Sequence, residues 1–149
     1  MQTLSAHTTA MWKSMADYLI DTNHASGLMA LQEPLTTRAQ QARVRGDRLG
    51  LSITVLGELY YAVYASRRQE LDLRYLRQML DTLMLFPFDE PAAEEFGRIR
   101  AEQKAAGCPI PPLDAQIAAV ARLHDLVLLT ADHHFQFVAG LSVENWQRA

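Results

Sequence analysis

Short apolar runs alternate with longer amphipathic ones along the chain. Residues 18–20 read as a buried strand that ends on the carboxylate of Asp21. Residues 24–31 can form a short helix, and a second helical stretch runs over 33–45 and stops at Gly46. Residues 49–54 suit a short strand entering a helix, with Ser52 or Thr54 as its cap. The next helix, 55–66, is apolar on most sides, which predicts burial. In 70–84, Leu71, Tyr75, Leu76, Met79, Leu80 and Leu83 fall near helical spacing. A strand follows over 83–88, which Pro87 confines to a sheet edge or to its own end. A charged helix over 90–106 closes at Gly107. The rigid connector "CPIPP" then places Pro112 where a helix's first turn tolerates it, ahead of a helix over 113–124. The nearly continuous apolar run 126–130 predicts a strand covered on both faces. A turn with a short helix and a last strand over 141–146 complete the pattern. Strands alternating with helices predict an α/β sandwich with a short, mainly parallel central sheet.

At 149 residues the chain is one domain by length, and it has no repeat or internal linker. Residues 1–15 lack strand or helix periodicity and carry no apolar core of a signal peptide. They are expected to be a disordered extension, a leader or the product of an upstream start, with Met15 as a candidate initiator and 16–149 as the domain. No apolar run approaches the ~18 residues of a membrane span. Cys108 is the only cysteine, which excludes an internal disulfide or a cysteine metal cluster and suits a reducing cytoplasm.

Net charge is −3, so this is not a protein that holds nucleic acid by a globally basic surface. The cations are nevertheless unevenly placed. All 14 are arginine except Lys13 and Lys104, and Arg38, Arg43, Arg45 and Arg48 crowd one segment. That segment reads as a solvated face, with a phosphate-contacting rim as the alternative.

Four carboxylates change the picture more. Asp21 ends the first strand, and Asp132 lies two residues beyond the run ending at Thr130. Asp114 lies in the first turn of the helix after the prolines. Glu58 sits among Val55, Leu56, Leu59, Tyr60 and Val63 with no Lys or Arg three or four residues away. Each has a plain structural reading: a turn for Asp21, a cap for Asp132, the helix dipole for Asp114, a distant arginine or solvent for Glu58. In a parallel sheet, however, strand C-termini share one edge, and ligands bind there. Four carboxylates gathered at that edge would repel and raise one another's pKa. A hard divalent cation, Mg²⁺ or Mn²⁺, relieves that repulsion and can activate water against a phosphodiester. Thr22, Asn23 and Thr130 add hydroxyl and amide groups beside the carboxylates and are equally good turn residues.

The stretches "YLIDTN", "SITVLGELYYAV" and "CPIPPLDAQIAAVARLHDLVLLTADHHFQFVAGLSVENW", in this order, resemble the PIN domain, specifically the VapC-type toxin ribonucleases of bacterial toxin–antitoxin pairs. The resemblance covers nearly all of 16–149. It implies a PIN-like α/β/α sandwich and a Mg²⁺- or Mn²⁺-dependent endoribonuclease that hydrolyses RNA with a metal-activated water. By matching motif, the metal-holding catalytic residues are Asp21, Glu58, Asp114 and Asp132. Asp21 and Asp114 are the expected direct ligands, and Glu58 would hold a second metal or orient the water. A cytoplasmic homodimer, a VapB-like antitoxin and an RNA target, with tRNA as one candidate, are implied in the same way. Ala62 stands where the pattern often has Gly, a change of packing rather than chemistry.

A dehalogenase-like phosphatase would want Asp at position 23, which is Asn, and a suitably placed Lys, which is absent. A non-catalytic PIN scaffold that binds RNA or protein is the remaining alternative, opposed by the presence of all four acidic residues. Adjacent His133 and His134 do not suggest a zinc site, since neighbours in sequence do not share a face. His24 is expected at the surface, with substrate contact as the alternative. Trp146, Phe135 and Phe137 are expected in the core or a dimer contact, and Tyr60, Tyr61 and Tyr64 are expected to pack, with contact of one of them to a partner or RNA as the alternative. The helix over 70–84 is a candidate dimer surface, and an ordinary core-facing helix explains its pattern equally well.

Overall fold

The computed structural model describes residues 17–148. The proposed extension over residues 1–15 lies outside the described residues. Five parallel strands stand in the order β3-β2-β1-β4-β5: β1 is Asp17–Ile20, β2 Arg48–Ser52, β3 Met84–Phe86, β4 Val127–Leu129 and β5 Val143–Glu144. The helices are α1 Thr22–Met29, α2 Leu35–Val44, α3 Ile53–Tyr64, α4 Gln69–Leu80, α5 Glu90–Ala106 and α6 Pro112–Leu123. A 3₁₀ turn covers His133–Phe137.

The central strand β1 has β2 on one side and β4 on the other, with Leu19 paired to Gly50 and to Leu128. Leu19, Ile20, Leu51, Leu128 and Leu129 are fully buried, as expected of strands covered on both faces. β3 is an edge strand of three residues followed by Pro87, in keeping with the demand of a ring that cannot donate to a ladder. Gly50 lets β3 lie close: a Cβ there would stand 2.5 Å from the Phe86 ring and 3.0 Å from the Met84 carbonyl oxygen.

Helix ends follow local chemistry. Ser52 caps α3 by accepting from the Val55 N–H, Asp89 caps α5 through the Ala92 N–H, and Gly107 closes α5 at φ 71°. Arg122 then ties the layers together. It donates to Glu95 and Glu102 of α5 and to the Ala139 carbonyl.

Two expectations about burial are corrected, that α3 is buried on most sides and that Tyr61 and Tyr64 pack. α3 is buried only along Val55, Leu59 and Val63, one stripe at i, i+4 and i+8, while Ile53, Tyr61 and Tyr64 are exposed. Tyr61 and Tyr64 therefore do not pack into the core. In α4 only Leu76 is fully buried and Tyr75 is exposed, so most of its apolar positions lie at the margin of the core. Of the late aromatics, Phe135 and Trp146 are buried and Phe137 is exposed.

The arginine cluster is solvated, as its plain reading has it, with Arg43, Arg45 and Arg48 exposed, and it also makes contacts within the protein. Arg48 forks onto Asp17 at 2.6 and 2.9 Å, Arg45 pairs with Asp47, Arg43 reaches the Thr82 hydroxyl and Arg38 the Asn145 carbonyl. These side chains join segments of the protein. The Asp17–Arg48 pair lies at the start of β1, the end of the strand opposite to Asp21.

His24 is also corrected: it is fully buried, because α1 turns it away from Asp21 into the core. Its Nε2 accepts from the Trp146 N–H at 3.0 Å, so its proton is on Nδ1. Trp146 in turn tilts against Tyr18, with ring centroids 4.7 Å apart. Burial lowers the His24 pKa from 6.5 to about 4. The unfolded chain takes up this proton near pH 6.5 and the folded chain only near pH 4. Stability is thus complete above pH 6.5 and falls as pH drops towards 4, by up to about 3 kcal/mol. Denaturant titrations across this window should show that loss, and His24→Gln should flatten it.

Candidate acidic site

Asp21 follows the last residue of β1. Its backbone N–H still donates to the Leu129 carbonyl at 2.9 Å, so the ends of β1 and β4 are locked together. Its side chain caps α1, with Oδ1 accepting from the Thr22 N–H at 2.7 Å and Oδ2 from the Thr130 hydroxyl at 2.8 Å. Each oxygen retains a further lone pair. Burial pushes the Asp21 pKa up, the two hydrogen bonds pull it back, and the charges of Glu58 and Asp132 push it up again.

Thr130 is the hinge pin of the site. While its hydroxyl donates to Asp21, it accepts from the Asp132 N–H at 3.0 Å. One side chain therefore sets the relative position of two carboxylate-bearing segments. Thr22 plays the equivalent part for Glu58, donating to Oε2 at 2.7 Å. Both threonines are turn residues by sequence, and only the tertiary partner distinguishes them. Asn23 is exposed, and its described contact is through its carbonyl, to Gln147.

Asp114 lies in the first turn of α6, which has no side-chain cap, so its carboxylate is left available. Its pKa is raised from 3.8 to about 6, first by burial and then by the charges of Asp132, Asp21 and Glu58, with His134 opposing. Asp132 does cap the 3₁₀ turn through the His134 N–H at 2.9 Å, so its plain reading as a cap holds.

The fold thus brings all four sequence-predicted carboxylates into one electrostatically coupled group. It adds His134, which sequence spacing does not single out. His134 Nδ1 lies 3.0 Å from Asp132 Oδ1. Asp114, Asp132 and His134 each offer a ligand atom, all within 4.8 Å of one another. The neighbouring His133 is not in this trio, although the two imidazole rings are 5.1 Å apart. The signal for His134 is its place two residues after a capping Asp, which returns its N–H and its ring to that carboxylate. Among the described residues no Lys or Arg forms an ion pair with any of the four acids. Concentrated negative charge without a protein cation fits an oxygen-ligated divalent metal.

The chain belongs to the PIN domain family, whose pattern it matches over residues 18–141. It is similar to ribonuclease VapC2 of Haemophilus influenzae, with 32% identity over 133 residues, 89% of this chain and 99% of the relative. It is 27% identical to the tRNA(fMet)-specific endonuclease VapC of Shigella flexneri, with the same coverage. Among solved structures, DNA-bound VapBC of Salmonella typhimurium matches with a TM-score of 0.79 at 28% identity, over 89% of this chain and 99% of that one. VapBC2 of Rickettsia felis bound to a promoter DNA fragment shares the fold at a TM-score of 0.82 and 24% identity, over 87% and 98%. No helix among the described residues is long and apolar enough to cross a membrane.

Proposed function

We propose that this chain is a VapC-type toxin ribonuclease, an endonuclease that hydrolyses RNA phosphodiesters with a Mg²⁺ or Mn²⁺ ion held by Asp21, Asp114, Glu58 and Asp132. The observation that carries this reading is the coupled acidic group with no ion-paired Lys or Arg. A divalent cation bound there polarises the phosphodiester and makes a water a better nucleophile. The protein's part is preorganisation. Thr130 and the Thr22 N–H fix Asp21 from two sides, Asp114 stands in an uncapped first turn of α6 with its carboxylate available to the ion, and Thr22 holds Glu58 for orienting the attacking water. An RNA substrate suits a cytoplasmic protein, and tRNA is the substrate class to try first, given the relative named for it.

The partner is a VapB-like antitoxin, a reading supported by the neighbouring VapBC complexes. Two adjoining hollows share Met29, Ala30 and Tyr75, one between α1, α2 and α4 and the other between α1, α3 and α4. Their apolar lining suits an antitoxin helix, and an Arg or Lys from that partner would compete with the metal at the acids. Homodimer formation is part of the same proposal and is checked by sedimentation of the antitoxin-free protein.

The test is cleavage of a mixed small-RNA pool by antitoxin-free protein with Mg²⁺, with Mn²⁺ and with EDTA. Discrete cuts that need the metal are expected. Cuts that persist in EDTA would overturn the metal mechanism, and absence of cutting by folded protein across tRNA, rRNA and mRNA would overturn the nuclease reading.

A further inference from the structure

Resting on the metal reading above, we propose that His134 supplies a nitrogen ligand to the cation and makes the site prefer Mn²⁺ to Mg²⁺. The placement is local and rigid. Asp132 caps the turn by accepting the His134 N–H at 2.9 Å, and the same Oδ1 lies 3.0 Å from the His134 Nδ1. The next residue, Phe135, is fully buried and anchors the turn to the core. The imidazole is therefore held against the carboxylate by backbone geometry, while its half-exposed ring keeps freedom to rotate onto an ion.

The distances suit chelation. Ligand atoms of Asp114, Asp132 and His134 all fall within 4.8 Å of one another. Atoms about 2.1 Å from a common ion stand at most about 4.2 Å apart, so a closure of roughly half an ångström seats one. A neutral imidazole with its proton on Nε2 then presents the Nδ1 lone pair.

Selectivity follows from the donor set. Carboxylates alone suit Mg²⁺ and Mn²⁺ alike, whereas Mg²⁺ demands oxygen ligands and holds its waters. Imidazole is the softer donor, and it raises affinity along the first-row series more than for Mg²⁺.

The experiment measures bound metal in the full chain, freed of metal by a chelator and without RNA. Pulsed electron paramagnetic resonance of bound Mn²⁺ should show nitrogen coupling that changes isotope pattern with ¹⁵N-histidine. The coupling should vanish in His134→Ala and persist in His133→Ala. By calorimetry, His134→Ala should weaken Mn²⁺ binding about tenfold or more and leave Mg²⁺ within about twofold. Bound Mn²⁺ without nitrogen coupling in the unmodified protein would overturn the role of His134 and leave the carboxylate site standing. Equal loss of both metals would overturn the selectivity. Failure of Mn²⁺ to bind at all would overturn this inference and the metal reading together.

Discussion

Asp114→Asn should abolish RNA cleavage and at the same time make the metal-free protein more stable. The loss of activity should be at least about a hundredfold, because residues that merely support a metal ligand already cost 10–100-fold when removed. The gain in stability follows from the sign of the pKa shift. Burial and three neighbouring carboxylates raise Asp114 from 3.8 to about 6. The folded protein therefore keeps this proton to higher pH than the unfolded chain does. The stability contribution is greatest below pH 3.8 and is lost as pH rises through about 6, leaving a full penalty at neutral pH. Discounted for the partial exposure of the side chain, that penalty is about 1–2 kcal/mol. Asn carries no charge and escapes it, so its Tm at neutral pH should exceed that of the unmodified protein by about 3–6 °C. The difference should shrink towards pH 4, and saturating Mn²⁺ should stabilise the unmodified protein and not the variant. Thermal melts with and without metal at two pH values decide this. A variant that loses both activity and stability would mean that Asp114 is a structural residue.

The elements of the site that were legible in the sequence are those set by periodicity and topology. An apolar run that stops on Asp21, and another that stops just before Asp132, place both acids on one edge once the strands are parallel. Glu58 stood out because its helical neighbours offer no cation, and its partner is the hydroxyl of Thr22, 36 residues away. What sequence could not show was direction. The apolar excess of α3 reads as burial on most sides, yet the core takes only Val55, Leu59 and Val63 and leaves Tyr61 and Tyr64 outside. His24 sits three residues from Asp21 and points to the core, while His134 sits two from Asp132 and joins its carboxylate. The bridge from Thr130 to Asp21 spans 109 residues and has no local signature. Such contacts exist only after the sheet has formed, so they belong to the fold and not to the motif.

Phe135→Ala should cost about 3–5 kcal/mol of stability, the usual penalty for removing a fully buried aromatic ring. That is a large share of the roughly 5–15 kcal/mol that holds a domain together. The effect on the site should exceed what global destabilisation explains. The turn His133–Phe137 has few other ties to the body of the protein: Gln103 of α5 donates to the Phe137 carbonyl at 2.7 Å, and the remaining bonds of the turn are local. Burial of the Phe135 ring therefore holds His134 and, together with the Thr130 hydroxyl at its N–H, Asp132 against Asp114. Asp21 and Glu58 are fixed independently, by Thr130 and Thr22. Under conditions where the variant is still folded, metal affinity should fall while the circular dichroism of sheet and helices is unchanged. Phe137→Ala is the matched control. Its ring is 56% exposed, and its removal should change stability by no more than about 0.5 kcal/mol. If the two variants weakened metal binding equally, the core would not be what positions Asp132 and His134, and the rigidity assigned to the turn would have to come from its backbone alone.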